Sequence, residues 1–69
     1  MRSRDIQMQV AQQYGITVDQ LRGRNRIKKF CEARQLAMRR TRNELGYSFG
    51  RIGLIFDRDH TTVQHACSK

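Results

Sequence analysis

No proline interrupts this chain of 69 residues, so the breaks between its elements fall to glycine and to capping side chains. No stretch approaches the roughly 18 apolar residues of a membrane span. The opening M-R-S-R-D-I-Q lacks the apolar core of a secretory signal, which leaves the cytoplasm as the expected location. Hydrophobic residues are few, at 38%, so several helices must share a thin core and stability is expected to be modest. The length suits a single domain over residues 1–69, with no room for a second core or a nucleotide-hydrolysing module.

Cysteine is scarce too. Cys31 and Cys67 each fall at an apolar helix position, and free, buried thiols are the expected state. Together with His60 and His65 they give the spacings H-x4-H and H-x-C, with Cys31 far upstream, which fit no usual zinc site. Residues five apart on a helix point well away from each other, so no metal and no other cofactor is expected.

Acidic residues are outnumbered, six against fourteen basic ones, for a net charge of +8 and a pI near 10.8. So small and basic a chain points to a polyanionic partner, most commonly nucleic acid, and hence to a nucleoid-associated protein. An anionic membrane surface is disfavoured, because no helix sets a basic face opposite Trp, Phe and Leu. The charge is also concentrated: Arg22, Arg24, Arg26, Lys28, Lys29, Arg34, Arg39, Arg40 and Arg42 lie within one third of the chain.

Read in order, the chain divides into helices. Ser3 is placed to cap a first helix through about Tyr14, with Ile6, Val10 and Tyr14 stacked at i, i+4, i+8 and Gly15 ending it. T-V-D-Q at 17 to 20 matches a capping box, and Ile16 with Leu21 forms the accompanying hydrophobic staple. A second helix of about one turn therefore starts there, and Gly23 stops it. The segment R-G-R-N-R-I-K-K, 22 to 29, is either a solvated charge run or a flexible arm. As an arm, one arginine would reach a minor groove while neighbours such as Arg24 and Lys28 touch phosphates.

A third helix is expected from about Lys29 to Leu45, with Phe30, Ala33, Ala37, Thr41 and Leu45 along one stripe and Gly46 as its C-terminal cap. Arg34, Arg39 and Arg42 fall on or beside its polar face, where they could follow a phosphate strand. Ser48 caps a fourth helix, in which Phe49, Ile52 and Phe56 face inward. Gly53 inside it costs about 1 kcal/mol relative to Ala, which argues for close approach of a crossing helix. After a turn at Asp57 and Arg58, a fifth helix begins at His60 with Asp59 as N-cap. Val63, Ala66 and Cys67 share its inward face. Thr61, Gln64, His65 and Ser68, with Thr62 on the flank, display short hydrogen-bonding groups of the kind that read base edges. Two helices across so short a turn, the second polar outside, form a helix-turn-helix pattern.

These residues also carry a family resemblance. I-G-L-I-F-D-R-D-H-T-T-V-Q-H-A, from Ile52 to Ala66, resembles the signature of the C-terminal DNA-binding domain of the bacterial chromosomal replication initiator DnaA, where I-G is followed by F and then R-D-H-[TS]-T-V-x-H-A. E-A-R-Q-L-A-M at 32 to 38 is similar to that family's A-R-Q-x-A-M, and the likeness runs from about Ile6 to Lys69. It implies an all-α fold, a small helical domain with a Trp-repressor-like helix-turn-helix and a basic loop, that binds asymmetric origin boxes in double-stranded DNA. By position, Arg26 matches the arginine that enters the minor groove. Arg58, Asp59, His60, Thr61 and Thr62 match the start of the recognition helix in the major groove, and Gln35, Arg42 and His65 match polar or backbone-contacting positions. Replication proteins are further candidate partners.

The chain also departs from the pattern. Only Asp57 stands where the family commonly has two glycines, so the turn is one residue shorter. Gly50 and Arg51 replace a frequent Pro-Glu, Arg39 and Arg40 replace residues usually apolar, and Gln64 replaces a common Leu, where it could add a polar contact. The closing helix usual in the family and its ATP-binding AAA+ module lie outside the 69 residues.

The leading expectation is therefore sequence-specific duplex binding of the origin-box type. The alternatives are a stand-alone transcriptional regulator on another operator and a protein-interaction module docking on the initiator. An enzyme is not expected, nor a small-molecule substrate. Asp59 and His60 adjoin two threonines, but neighbouring helix residues point about 100° apart and no third orienting group is in view.

Overall fold

Side chains take otherwise unpaired backbone N–H groups at the starts of four of the helices, at Asp5, Thr17, Ser48 and Asp59, whereas the longest helix, from Lys28, begins after Ile27 with no side-chain cap. The computed structural model describes residues 2–24 and 26–68; Asn25, which the sequence put in the basic segment, lies outside them. Among the described residues five α-helices follow in order: α1 (Ser3–Tyr14), α2 (Val18–Arg22), α3 (Lys28–Arg40), α4 (Phe49–Phe56) and α5 (His60–Cys67). This is the expected all-α architecture.

The capping box at α2 forms as its spacing requires. Thr17 Oγ1 accepts from the Gln20 N–H at 3.0 Å, and Gln20 Oε1 accepts from the Thr17 N–H at 2.9 Å. Leu21, the far half of the staple, is fully buried. Ser48 caps α4 by accepting from the Arg51 N–H at 3.1 Å. Gly15 and Gly46 end their helices in the left-handed region, at φ 67° and 70°.

Three expectations need correction. Ser3 does not cap α1: it is the first helical residue, and its buried hydroxyl accepts from Gln7 Nε2 at 3.1 Å. Asp5 closes that end instead, its carboxylate accepting from the Arg2 N–H at 2.8 Å and placing negative charge on the positive pole of the helix. The third helix is not uniform either, since Thr41–Leu45 continue it as a wider π-helical turn. There the buried Thr41 hydroxyl bonds back to the Ala37 carbonyl at 2.7 Å, a local bond that competes with the helical ladder. Cys31 and Cys67 stay reduced thiols rather than a disulfide, as expected, but they are half-buried rather than buried, and burial pushes the Cys67 thiol up from its ordinary pKa.

The core is thin but continuous. Ile6 and Val10 from α1, Leu21 from α2, Ala33, Ala37 and Met38 from α3, Ile52 and Phe56 from α4, and Val63 and Ala66 from α5 pack into one cluster. Alanine at Ala33 and Ala37 lets the neighbouring helices come close to α3, which touches every other helix directly or through its π-helical turn. Of the two arginines that replace residues usually apolar, Arg40 has its polar partners on α1 and on the π-helical turn. Arg40 forks onto Glu44 at 2.6 and 3.2 Å and reaches Gln9 Oε1 at 2.9 Å, which raises its own pKa and lowers that of Glu44.

Candidate nucleic-acid interface

The reading helix is set by the tightness of the turn before it. Asp57 takes the left-handed conformation at φ 54°, ψ 51°, the backbone state for which the family's glycines are suited and which Asp tolerates better than most residues. That residue ends α4, and the Arg58 N–H then donates to the Gly53 carbonyl at 2.8 Å. A Cβ on Gly53 would lie 2.5 Å from the Arg58 carbonyl oxygen and 3.5 Å from the His60 nitrogen. The close approach read from Gly53 is therefore real, and the approaching element is the turn together with the first residue of α5.

At the start of α5, Asp59 Oδ1 accepts from the Thr61 N–H at 2.9 Å, and this bond is the first cause of its carboxyl being held below the usual range. His60 Nδ1 lies 3.1 Å from the same oxygen, an ion pair whenever the imidazole is protonated. Val63 and Ala66 are buried, while Asp59, His60, Thr61, Thr62, Gln64 and His65 are all exposed on the outer side. His60 is thus exposed rather than packed against the core.

Thr62 and His65 also line one wall of a groove between α5 and α3, about 280 Å³ in volume. Its other wall includes Cys31, Arg34, Gln35 and Met38. Gln35, half-buried, faces α5 across this groove. Arg42 sits near the far end of α5: its guanidinium donates to the Tyr47 carbonyl at 2.9 Å and lies 4.6 Å from the Phe49 ring centre. Arg51 stacks over Tyr47 at 3.8 Å, an i, i+4 aromatic and cation spacing that is visible in the sequence. These stacks hold two guanidinium groups near the surface in fixed places.

The basic loop joins α2 to α3 beside the turn. Arg26 is exposed and makes no hydrogen bond or ion pair among the described residues. Lys28 pairs loosely with Glu32 at 3.8 Å, and Arg24 with Asp57 at 3.3 Å. Two arginines turn toward main-chain carbonyls. Arg34, placed on the polar face of α3 by periodicity, turns back and donates to the Leu21 and Gly23 carbonyls at 2.9 and 2.5 Å. Arg58, matched to the base-reading start of α5, is half-buried and donates to Phe56, Asp57 and Gly23 carbonyls at 2.9, 3.0 and 2.7 Å.

Among the described residues, no group of three or more His, Cys, Asp or Glu gathers in a way that would hold a metal, and no helix is long and apolar enough to cross a membrane. The arrangement is a surface, with donors and acceptors of both signs on α5 and cations on either side.

Comparison with known proteins agrees with this layout. Residues 3–69 match the family described as the bacterial dnaA protein helix-turn-helix. The chromosomal replication initiator protein DnaA of Deinococcus radiodurans is 43% identical over 65 residues, covering 94% of this chain and 14% of the relative. That of Chloroflexus aggregans is 48% identical over 61 residues, covering 87% and 13%, and that of Acinetobacter baumannii is 42% identical over 66 residues, covering 94% and 14%. The chain thus spans about one seventh of the length of these relatives. With a family match over all but its first two residues, the chain belongs to the bacterial DnaA helix-turn-helix family.

Proposed function

We propose that this chain is a single module, over residues 1–69, that binds duplex DNA sequence-specifically in the manner of a replication initiator. The observation that carries the reading is the outer side of α5, where Asp59, His60, Thr61 and Thr62 are exposed together at the N-terminus of a helix whose other side is locked into the core. A helix in the major groove presents its first turn to base edges. Thr methyls meet thymine methyls there, and Asp59 accepts from a cytosine amine. The N-terminal amides favour a nearby phosphate.

Arg26 is the minor-groove reader, and its side chain is free to extend. Arg24, Lys28, Gln35, Arg42, Gln64 and His65 contact or steer the phosphate backbone around these readers. The module performs no chemistry, and its partner is DNA rather than a small molecule.

Binding is electrostatic in bulk and specific at a few bases. With six to ten phosphate contacts, affinity falls by about 10³ to 10⁵ between 50 and 200 mM salt. The test of the reading helix is Thr62→Ala, measured by fluorescence anisotropy on a preferred duplex and on a scrambled one. A loss of about 1 to 3 kcal/mol on the preferred site with little change on the scrambled one is expected. Equal loss on both would show that α5 is not the reader.

A further inference from the structure

We infer that Arg58 is a positioning residue: it pins the root of the minor-groove arm to the helix-turn-helix turn and so fixes the spacing between the two readers. This rests on the DNA-binding reading above.

The geometry begins with two helix ends. The last carbonyls of a helix have no partner within it and carry the negative end of its dipole. The Arg58 guanidinium lies where the ends of α4 and α2 meet. Its Nη1 donates to the Phe56 and Asp57 carbonyls at 2.9 and 3.0 Å, and its Nη2 donates to the Gly23 carbonyl at 2.7 Å, across 35 positions of sequence. Gly23 is the residue from which the arm departs. Its carbonyl also accepts from Arg34 Nη2 on α3, so one oxygen is held by two guanidinium groups from opposite sides of the loop.

The arrangement brings like charges together. Burial comes first among the causes that lower the pKa of Arg58, and the nearby charges of Arg34 and Arg24 add to it, while Asp57 and Cys31 oppose. A chain needing only a packed turn has no reason to gather three arginines there. One that must hold a cationic arm beside a reading helix does, because the main-chain carbonyls absorb the charge and leave the exposed side chain of Arg26 unspent. The Arg24–Asp57 pair joins the same two segments, but its side chains are 79% and 84% exposed, so it contributes little and is screened by salt. Arg58 is the main tether. Lysine cannot replace it, since one ammonium point cannot serve carbonyls that diverge around a planar fork.

The mechanism separates three roles for Arg58. A base reader would lose discrimination at its own base, independently of the arm. A residue that only stabilises the fold would lower affinity for preferred and scrambled duplexes by the same factor. A positioning residue makes the benefit of Arg26 depend on it.

The experiment is a double-mutant cycle on the full chain with a duplex selected from a random pool, using Arg26→Ala, Thr62→Ala and Arg58→Lys. In the wild-type background Arg26→Ala is expected to weaken binding about tenfold, and in the Arg58→Lys background by less than about twofold, whereas the Thr62→Ala effect keeps its size in both. An Arg26→Ala effect that stays tenfold in the Arg58→Lys background overturns the inference, as does an Arg58→Lys loss that is equal on selected and scrambled duplexes. Should Arg58→Lys not fold, insertion of two glycines after Arg24 decides: it slackens the arm without touching Arg58, and an undiminished Arg26→Ala effect in that background overturns the inference. A wild-type chain that selects no duplex sequence refutes the underlying DNA reading instead, and does so before any Arg58 variant is compared.

Discussion

Two glycines on the same helix should respond in opposite directions to the same methyl group. At Gly53 the added Cβ meets the Arg58 carbonyl oxygen at 2.5 Å, so the turn must retreat by roughly 0.5 to 0.9 Å to reach a tolerable contact. That retreat stretches the bond from the Arg58 N–H to the Gly53 carbonyl, now 2.8 Å. Gaining alanine's helix propensity is worth about 1 kcal/mol. Against it stand overpacking, about 1 to 3 kcal/mol, and a weakened hydrogen bond, about 0.5 to 1.5 kcal/mol. Gly53→Ala should therefore destabilise by about 1 to 3 kcal/mol, whereas Gly50→Ala, whose Cβ meets nothing within 4 Å, should stabilise by up to about 1 kcal/mol. In a domain of this size each kcal/mol moves Tm by about 4 to 8 °C, well within reach of thermal unfolding followed by helical circular dichroism. Gly53→Ala should also weaken duplex binding, because the carbonyl that moves is the one leading into Asp59. A Gly53→Ala protein as stable as the wild type would refute the claim that this contact sets the pose of α5.

Other consequences concern the acidic groups. Asp59 both caps α5 and faces outward, and Asp59→Asn separates the roles: Asn caps as well as Asp, so Tm should hold within a few degrees while base discrimination shifts, whereas Asp59→Ala should lose both, with a lowered Tm. The Asp59 and Glu44 carboxyls are held below their ordinary values, the first mainly by the Thr61 N–H and the second mainly by Arg40. Groups with depressed folded-state pKa values stabilise at neutral pH and cease to as pH falls through those values, so Tm should drop below about pH 4, and Asp59→Asn combined with Glu44→Gln should flatten that drop. A profile as steep in the double variant would assign the acid sensitivity elsewhere.

What could be read in the sequence was local. The Thr17 and Gln20 box, the Ser48 and Asp59 caps, the glycine stops and the outward face of α5 all depend on residues two to four apart, and local spacing reports that range well. Gly53 was legible because an uncompensated cost inside a helix needs a reason from outside it. The long-range tethers were not. Nothing in the spacing of Arg34 or Arg58 tells that both will converge on the carbonyl of Gly23, 11 and 35 positions away, rather than face solvent. Nor does it distinguish Ser3 from Asp5 as the closing group of α1, since either oxygen type suits that end. The π-helical turn at Thr41–Leu45 was not legible for a different reason: the Thr41 hydroxyl bonds only four positions back, to the Ala37 carbonyl, and apolar periodicity at that range does not separate a π turn from an α-helical one.

The measurement that bears most directly on the central claim is selection of bound sequences from a random duplex pool at physiological salt, with the wild-type chain and with Thr62→Ala side by side. The account predicts one asymmetric motif from the wild type, blurred at the positions that Thr62 reads in the variant. Recovery of no motif from the wild type, with retention governed by salt alone, would contradict it and leave only a basic surface.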